Sequence, residues 1–290
     1  MKKTILCTAM LLALSGCGTA TPQTKTTAKN EAPAAQSEQT VEQNEVQAVS
    51  ADRETIFQVS LLQGLTLGDY YGSVTVKELK EKGDTGIGTF EGVNGELIML
   101  DGEVYRAKSN GSVEVAPDDE TIPFSNVTFF DVDTTEEISG ISNINDLKDY
   151  LNSKVEEFGK NRFYMIRIDG SFKKVSARSE LKQEEPYKTL AEALSTDQRE
   201  FDFDEAKGTV VGLFCPVYMN DLNAVGWHFH FVSEDKQQGG HVLDLDIDNA
   251  EVKWDNTDGF NMLLPETQMF PELDFTKDQS EDIKKVETNE

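Results

Sequence analysis

The stretch that decides the fold reads GELIMLDGEVYR and spans residues 95–106. Two short, mainly apolar runs flank Asp101-Gly102, and Asp-Gly between such runs is a strong local signal for a β-hairpin. We therefore predict strands at Glu96–Leu100 and 104–106, joined by a two-residue turn. Runs of this kind, broken by glycine-containing turns, recur from residue 54 onward and are typical of sheet.

Two further turn signals of the same kind lie along the chain. Asn110-Gly111 precedes the short run Val113–Val115, and Asp169-Gly170 separates the runs 164–168 and 172–175. Both predict hairpins, and the two similar Asp-Gly hairpins suggest two related sheet units. Apolar runs predict further strands at 208–215, 225–232, 241–246 and 260–264.

Helical spacing of apolar residues is rarer. It extends from Ile144 to Phe158 and stops before Gly159, which predicts one helix. Shorter helices are predicted at 187–194, after Pro186, and at 76–79, and the chain could close with a helix at 282–287. The predicted fold class is α+β (mixed α/β): sheet-dominated, with two mixed β-sheet units and a few short helices.

The N-terminal residues are typical of an export signal. Lys2 and Lys3 precede an apolar stretch, 5–14, that is too short to span a bilayer. The sequence Leu-Ser-Gly-Cys at 14–17 resembles a bacterial lipobox, in which Cys17 would carry lipid and become the new N-terminus. An ordinary secretory signal is the alternative, and both export the protein. Residues 1–17 therefore predict a lipid-anchored, extracytoplasmic protein on the bacterial cell membrane.

The rest of the chain divides by composition. Residues 18–52 are rich in Thr, Ala, Gln and Glu and show no hydrophobic period, which predicts a disordered tether. Residues 53–290 hold the apolar runs and form the predicted catalytic body. We expect two closely packed β-rich subdomains within it, at about 53–160 and 161–290.

The charge of the chain limits its partners. The sequence has 27 basic and 53 acidic residues, a formal net charge of −26. Such a charge argues against binding to nucleic acid. An anionic substrate would also be repelled at long range, so a site for one needs local positive charge from a metal ion or an arginine.

All three histidines fall in one stretch, which reads GWHFHF at 226–231 and GGH at 239–241. Residues two apart on a strand point to the same face, so His228 and His230 project together. The segment 233–240, which ends in Gly-Gly, can turn the chain so that His241 faces the same point. Three converging imidazoles match a catalytic zinc site with one open position; a histidine cluster without metal is the alternative.

At this stretch the sequence resembles the alpha-acetolactate decarboxylase family, and the likeness extends from about residue 60 to 287. It rests on the order and spacing of several blocks, which include SLLQG at 60–64, GDTGIGTF at 83–90, GELIMLDG at 95–102, ARS at 177–179, GTVVG at 208–212 and GGHVLD at 239–244. Two departures are Asn94, where the family usually has Asp, and a stretched segment at 64–72.

The resemblance implies a set of site residues. The family's zinc ligands match His228, His230 and His241, and its acid/base and substrate-binding residues match Glu96, Arg178 and Glu287. Two of these assignments also make chemical sense, although without the resemblance Glu96 could be an edge-strand charge and Arg178 would be read as a surface arginine. Glu96 shares a strand face with apolar neighbours, an unusual place for a carboxylate unless it faces a site. A guanidinium such as that of Arg178 is a natural clamp for a carboxylate.

The resemblance also implies an activity. The expected reaction is zinc-dependent decarboxylation of 2-acetolactate to (R)-acetoin and CO₂ through a zinc-bound enediolate, in acetoin and butanediol metabolism, by a homodimer. Two other functions stay open from the residues themselves. One is a different zinc lyase or hydrolase, because three histidines also activate water. The other is an extracytoplasmic zinc-binding lipoprotein.

Overall fold

The computed structural model describes residues 52–277, Gln279, Ile283 and Val286, and these residues form one compact unit. The sheet-dominated α+β class is confirmed. The strands are β1 (Thr55–Val59), β2 (Val74–Thr75), β3 (Thr85–Thr89), β4 (Glu96–Leu100), β5 (Glu103–Ala107), β6 (Val113–Val115), β7 (Thr121–Ile122), β8 (Phe124–Thr128), β9 (Thr134–Ile141), β10 (Phe163–Glu180), β11 (Gln198–Cys215), β12 (Gly226–Ser233), β13 (Gly239–Thr257) and β14 (Gly259–Leu263). The helices are α1 (Leu62–Thr66), α2 (Val76–Lys80), α3 (Ile144–Phe158) and α4 (Leu190–Asp197).

Two main sheets and one short strand pair are present in the described residues. The seven-stranded sheet has the order β14-β1-β8-β3-β4-β5-β6, the five-stranded sheet has the order β10-β11-β12-β13-β9, and β2 pairs with β7. The sheets exchange elements across residue 160, since β9 belongs to the five-stranded sheet and β14 to the seven-stranded one. The division of the body into subdomains near residue 160 stays a prediction.

The two main sheets pack face to face, with a helix on each outer side. Side chains of β4 such as Ile98 and Leu100 meet Met165 of β10 between the sheets. On the other face of the five-stranded sheet, Trp227 and the aromatic residues near it pack against α3. The outer face of the seven-stranded sheet packs against α2. Each large apolar side chain buried in these layers contributes about 1.5–3 kcal/mol to stability.

The two Asp-Gly pairs have different structures. Asp101 and Gly102 both have positive φ, 52° and 78°, and form the predicted turn between β4 and β5. Asp169-Gly170 is not a turn, so the predicted hairpin is wrong: both residues lie inside β10, which runs unbroken for 18 residues. A Cβ on Gly170 would lie 2.4 Å from the Cβ of Ala250 on β13. Glycine is needed there because a neighbouring backbone approaches closely.

The predicted helices are largely present. α3 is confirmed with both of its ends, and Asn143 caps its N-terminus by accepting hydrogen bonds from two backbone N–H groups. α4 begins at Leu190 rather than 187, because Thr189 forms a capping box with Glu192. α1 was not predicted from the sequence. The predicted helix at 282–287 lies largely outside the described residues.

The predicted signal peptide, lipobox and tether, residues 1–17 and 18–52, fall outside the described residues except for Asp52. Within the described part of the chain, none of the helices has the length and apolar character needed to cross a bilayer.

Candidate active site

Strand register places three of the candidate side chains in one row. His230 on β12 lies directly opposite His241 on β13, and His241 lies directly opposite Arg178 on β10. Opposed residues on neighbouring strands share a face, and His228 joins that face two residues before His230. The row faces the seven-stranded sheet, where the backbone carbonyl of Leu97 contacts His230.

The two glycines before His241 belong to β13 rather than to the turn. A Cβ on Gly240 would lie 2.6 Å from the carbonyl oxygen of Arg178, and one on Gly239 would lie 2.6 Å from that of Phe231. The turn itself lies earlier, and its Lys236 has a positive φ of 58°. Gly-Gly therefore lets β13 pass close to both neighbouring strands, which brings His241 beside Arg178.

The histidine nitrogens converge on one point. Nε2 of His228 lies 3.0 Å from Nε2 of His230 and 3.1 Å from Nδ1 of His241. Nitrogens that bind one tetrahedral zinc ion are roughly 3.3 Å apart. Nδ1 of His230 lies 2.8 Å from the carbonyl oxygen of Leu97. That carbonyl can only accept, so Nδ1 carries the proton and the lone pair on Nε2 points to the shared point.

The protonation of these imidazoles also suits a metal. Burial, followed by the positive charges of Arg178 and Lys148, lowers the pKa of His228 to about 3. Burial, followed by the neighbouring His228, lowers the pKa of His230 well below its ordinary value. Both rings are therefore neutral at physiological pH and have lone pairs to donate. Among the described residues, the three histidines form a group whose ligand atoms lie within 4.8 Å of one another.

Glu96 reaches this point from the opposite sheet. It begins β4, is 6% exposed, and its Oε2 lies 3.3 Å from Nε2 of His230. The loop before it is tight: the β-branched Val93 has a φ of 45°, which strains its backbone. Thr89 donates a hydrogen bond of 2.9 Å to the carbonyl of Gly95. Glu96 is thus held against the histidines by its strand and by a constrained turn that includes Asn94.

Arg178 is 3% exposed and fixed on three sides. Its Nη1 donates a hydrogen bond of 3.0 Å to Oε1 of Gln198, and its Nη2 donates to the carbonyl of Val286. Its Nε lies 3.8 Å from Oε1 of Glu180. Glu287, which follows Val286 in the chain, lies outside the described residues.

One cavity joins these groups. Its polar lining consists of Thr89, Glu96, Arg178, Glu180, His228 and His241, and its apolar lining includes Leu62, Leu65, Val93, Phe124, Leu190 and Leu194. A larger cleft near Tyr71 and Glu266 contains none of the histidines. The sequence did not predict that Thr89, Glu180 and these apolar residues line the site. Alternate residues of a strand share a face, so the position of Glu180 two residues after Arg178 on the same strand could have suggested it.

Comparison with known proteins gives a consistent result. The family model described as alpha-acetolactate decarboxylase matches residues 56–277. Proteins named alpha-acetolactate decarboxylase are similar to this chain: one from Methanosarcina mazei is 39% identical over 81% of this chain and 80% of its own length. One from Brevibacillus brevis is 35% identical over 99% of both chains.

Solved structures show the same likeness. The crystal structure of alpha-acetolactate decarboxylase from Bacillus subtilis strain 168 superposes with a TM-score of 0.77 at 37% identity, over 81% of this chain and 99% of that one. A Staphylococcus aureus protein described as similar to alpha-acetolactate decarboxylase gives a TM-score of 0.76 at 29% identity, over 80% and 100%. This chain therefore belongs to the alpha-acetolactate decarboxylase family, a family of carboxy-lyases.

Proposed function

We propose that the protein decarboxylates 2-acetolactate to (R)-acetoin and CO₂, with zinc as its metal. The observation that supports this most directly is the row formed by His230, His241 and Arg178, which puts converging imidazoles beside a buried guanidinium. A substrate with a carboxylate next to a hydroxyl and a ketone needs this pair of partners. The relatives named above supply the identity of that substrate.

The residues present fit a zinc ion. His228, His230 and His241 would hold it, because their ring nitrogens converge, His228 and His230 are neutral, and the tautomer of His230 is fixed by Leu97. When bound, the ion supplies a Lewis acid that polarises the substrate ketone, and three neutral ligands leave its full charge available for this.

Arg178 binds the carboxylate of the substrate. In a chain with a net charge of −26, its buried positive charge offsets the repulsion that the protein exerts on an anion. Gln198 and the Val286 carbonyl hold the guanidinium in place, so the carboxylate is oriented when it binds. Departure of CO₂ then leaves its electron pair on the substrate, which delocalises it onto its own ketone oxygen as an enediolate, and a bound metal ion would stabilise that charge.

Glu96 supplies the proton that completes the reaction. Its carboxyl group lies at the edge of the cavity, beside His230, and approaches the substrate from the seven-stranded sheet. Protonation of the enediolate carbon from one side gives one enantiomer of acetoin. Glu287 is the second candidate for this role or for the transfer of the hydroxyl proton, and the two carboxylates could share the two steps.

The experiment is acetoin formation from racemic acetolactate, measured against the spontaneous rate and analysed by chiral chromatography. We expect rapid formation of the R enantiomer by the wild type and none above background by His230→Ala. The exposed Glu184→Gln serves as a matched variant and should behave as wild type. Folded, zinc-loaded protein without activity would refute the proposal and leave a different zinc enzyme or an extracytoplasmic zinc-binding lipoprotein as the function.

We also propose that the protein is exported, anchored to the membrane by lipid on Cys17, and active as a homodimer. The lipobox at 14–17 supports the anchor, and the Brevibacillus brevis relative matches this chain over 99% of its length, the N-terminal region included. Labelled fatty acid should be incorporated into the wild type but not into Cys17→Ser. Analytical ultracentrifugation of the detergent-solubilised protein should give the mass of a dimer.

A further inference from the structure

A second buried carboxyl group lies beside Arg178, the residue proposed to bind the substrate carboxylate. Glu180 is 5% exposed, lines the same cavity as the histidines, and follows Arg178 by two residues on β10. Its Oε1 lies 3.8 Å from Nε of Arg178. A guanidinium is permanently charged, and a carboxylate at this distance interacts with it electrostatically. The cavity therefore holds a carboxyl group of the protein next to the group that binds the substrate carboxylate.

The neighbouring strand completes this arrangement. Gln198 on β11 lies directly opposite Glu180, and its Oε1 accepts from Nη1 of Arg178. Its Nε2 donates a hydrogen bond of 2.8 Å to Glu200, which fixes the amide with its oxygen toward the guanidinium. Glu180 and Gln198 thus contact Arg178 from two adjacent strands, and apolar residues such as Leu190 strengthen the charge interaction by excluding water.

The contact between Glu180 and Arg178 affects the energetics of decarboxylation. The substrate carboxylate carries a negative charge that moves toward the ketone oxygen as CO₂ departs. An arginine that binds the carboxylate without competition stabilises the ground state more than the transition state, which slows the reaction. A protein carboxylate that shares the same guanidinium limits this stabilisation.

We propose that Glu180 is a positioning residue that acts through Arg178. It holds the Nε side of the guanidinium, directs the remaining N–H groups into the cavity, and offsets part of the charge, so that the substrate carboxylate is oriented but bound only weakly. This inference rests on the proposed function, because it concerns how the same site treats acetolactate.

The test is a comparison of kcat and KM for acetolactate in three variants. Glu180→Gln keeps the shape and removes the charge; we expect KM and kcat each to fall about tenfold, with kcat/KM nearly unchanged. Glu180→Asp keeps the charge at a greater distance and should lower KM by about twofold to threefold. The exposed Glu184→Gln removes the same charge four residues away and should change neither constant.

A second measurement follows binding without reaction. Affinity for 2-hydroxy-2-methylbutanoate, which has the carboxylate and hydroxyl but no ketone, is measured by calorimetry in the wild type and in each Glu180 variant. We expect tighter binding in Glu180→Gln by about tenfold and in Glu180→Asp by about twofold. If Glu180→Gln does not fold, the affinity of Glu180→Asp for the analogue tests the proposal.

An unchanged or raised KM in folded, metal-loaded Glu180→Gln, or unchanged or weaker binding of the analogue by Glu180→Asp, would overturn this role and leave Glu180 as a structural partner of Arg178. Absence of acetoin formation by the wild type would instead refute the proposed function. The two failures are therefore distinguishable in one set of assays.

Discussion

Replacing Asp255 by Asn should stabilise the protein at neutral pH and have much less effect at pH 4. Asp255 lies near the end of β13 and is 0% exposed. Its Oδ2 accepts a long hydrogen bond, 3.4 Å, from the backbone N–H of Asp131, and its Oδ1 has no partner within the described residues. Burial raises the pKa of Asp255 to about 8, and the nearby carboxylates of Asp131, Asp133 and Glu54 contribute to the rise.

The direction in which stability changes with pH follows from which state of the chain binds the proton. Well below pH 4 the carboxyl group is protonated in both the folded and the unfolded chain, so stability does not depend on it. Between the ordinary pKa of 3.8 and about 8 the unfolded chain ionises and the folded chain keeps the proton, so the free energy of unfolding falls as pH rises. One pKa unit corresponds to about 1.4 kcal/mol of unfolding free energy. The rise from 3.8 to about 8 therefore sets an upper limit of about 6 kcal/mol on the stability lost. At pH 7.5 we expect Asp255→Asn to exceed the wild type by about 2 kcal/mol in unfolding free energy, because the surroundings of a buried charge relax and reduce its cost.

The assay is urea unfolding of wild type and Asp255→Asn at pH 4, 6, 7.5 and 9. Metal binding affects both proteins equally, so the difference between their unfolding free energies isolates the carboxyl group. The unfolding free energy of Asp255→Asn should increasingly exceed that of the wild type between pH 4 and 8. Above pH 8 the difference should stay constant. The exposed Asp258→Asn should stay within about 0.5 kcal/mol of wild type throughout. Curves for wild type and Asp255→Asn that stay parallel from pH 4 to 9 would refute the reasoning.

Three further predictions concern the site and the sheet. Glu96→Gln should lower kcat by about 10²- to 10⁴-fold while metal analysis shows a full complement of zinc, because a proton donor is lost and no proposed ligand is removed; wild-type kcat would exclude Glu96 as the donor. His230→Ala should lose both metal and activity, and activity that survives in the metal-free variant would contradict the ligand assignment. Gly170→Ala should lower the free energy of unfolding by about 1–3 kcal/mol, since its Cβ would lie 2.4 Å from that of Ala250, and thermal unfolding measures this; an unchanged melting temperature would show that β13 moves aside at no cost.

Features with a local cause were predictable from the sequence. The turn at Asp101-Gly102 needs two residues with positive φ, and Asp-Gly supplies them. The helix α3 has its own cap at Asn143 and its own stop at Gly159. The shared direction of His228 and His230 follows from the alternation of side chains along a strand.

Features set by distant contacts were not predictable. Asp169-Gly170 has the same local signal as the true turn, but the close approach of β13 at Ala250 makes it part of a long strand. The position of Arg178 opposite His241 depends on register shifts in β10, one of which lies between Ser176 and Ala177. A sequence read one strand at a time gives neither the shifts nor the contact of Glu180 with the guanidinium.

We propose that acetoin formation depends on a zinc ion held by His228, His230 and His241. The direct measurement is acetoin formation by the purified full chain before chelation, after removal of metal, and after titration with zinc, with bound zinc counted at each step. We predict that activity disappears with the metal and returns in proportion to zinc, reaching its maximum at one ion per chain. Full activity in protein shown to be free of metal, or zinc bound at one per chain with no acetoin formed, would contradict the claim.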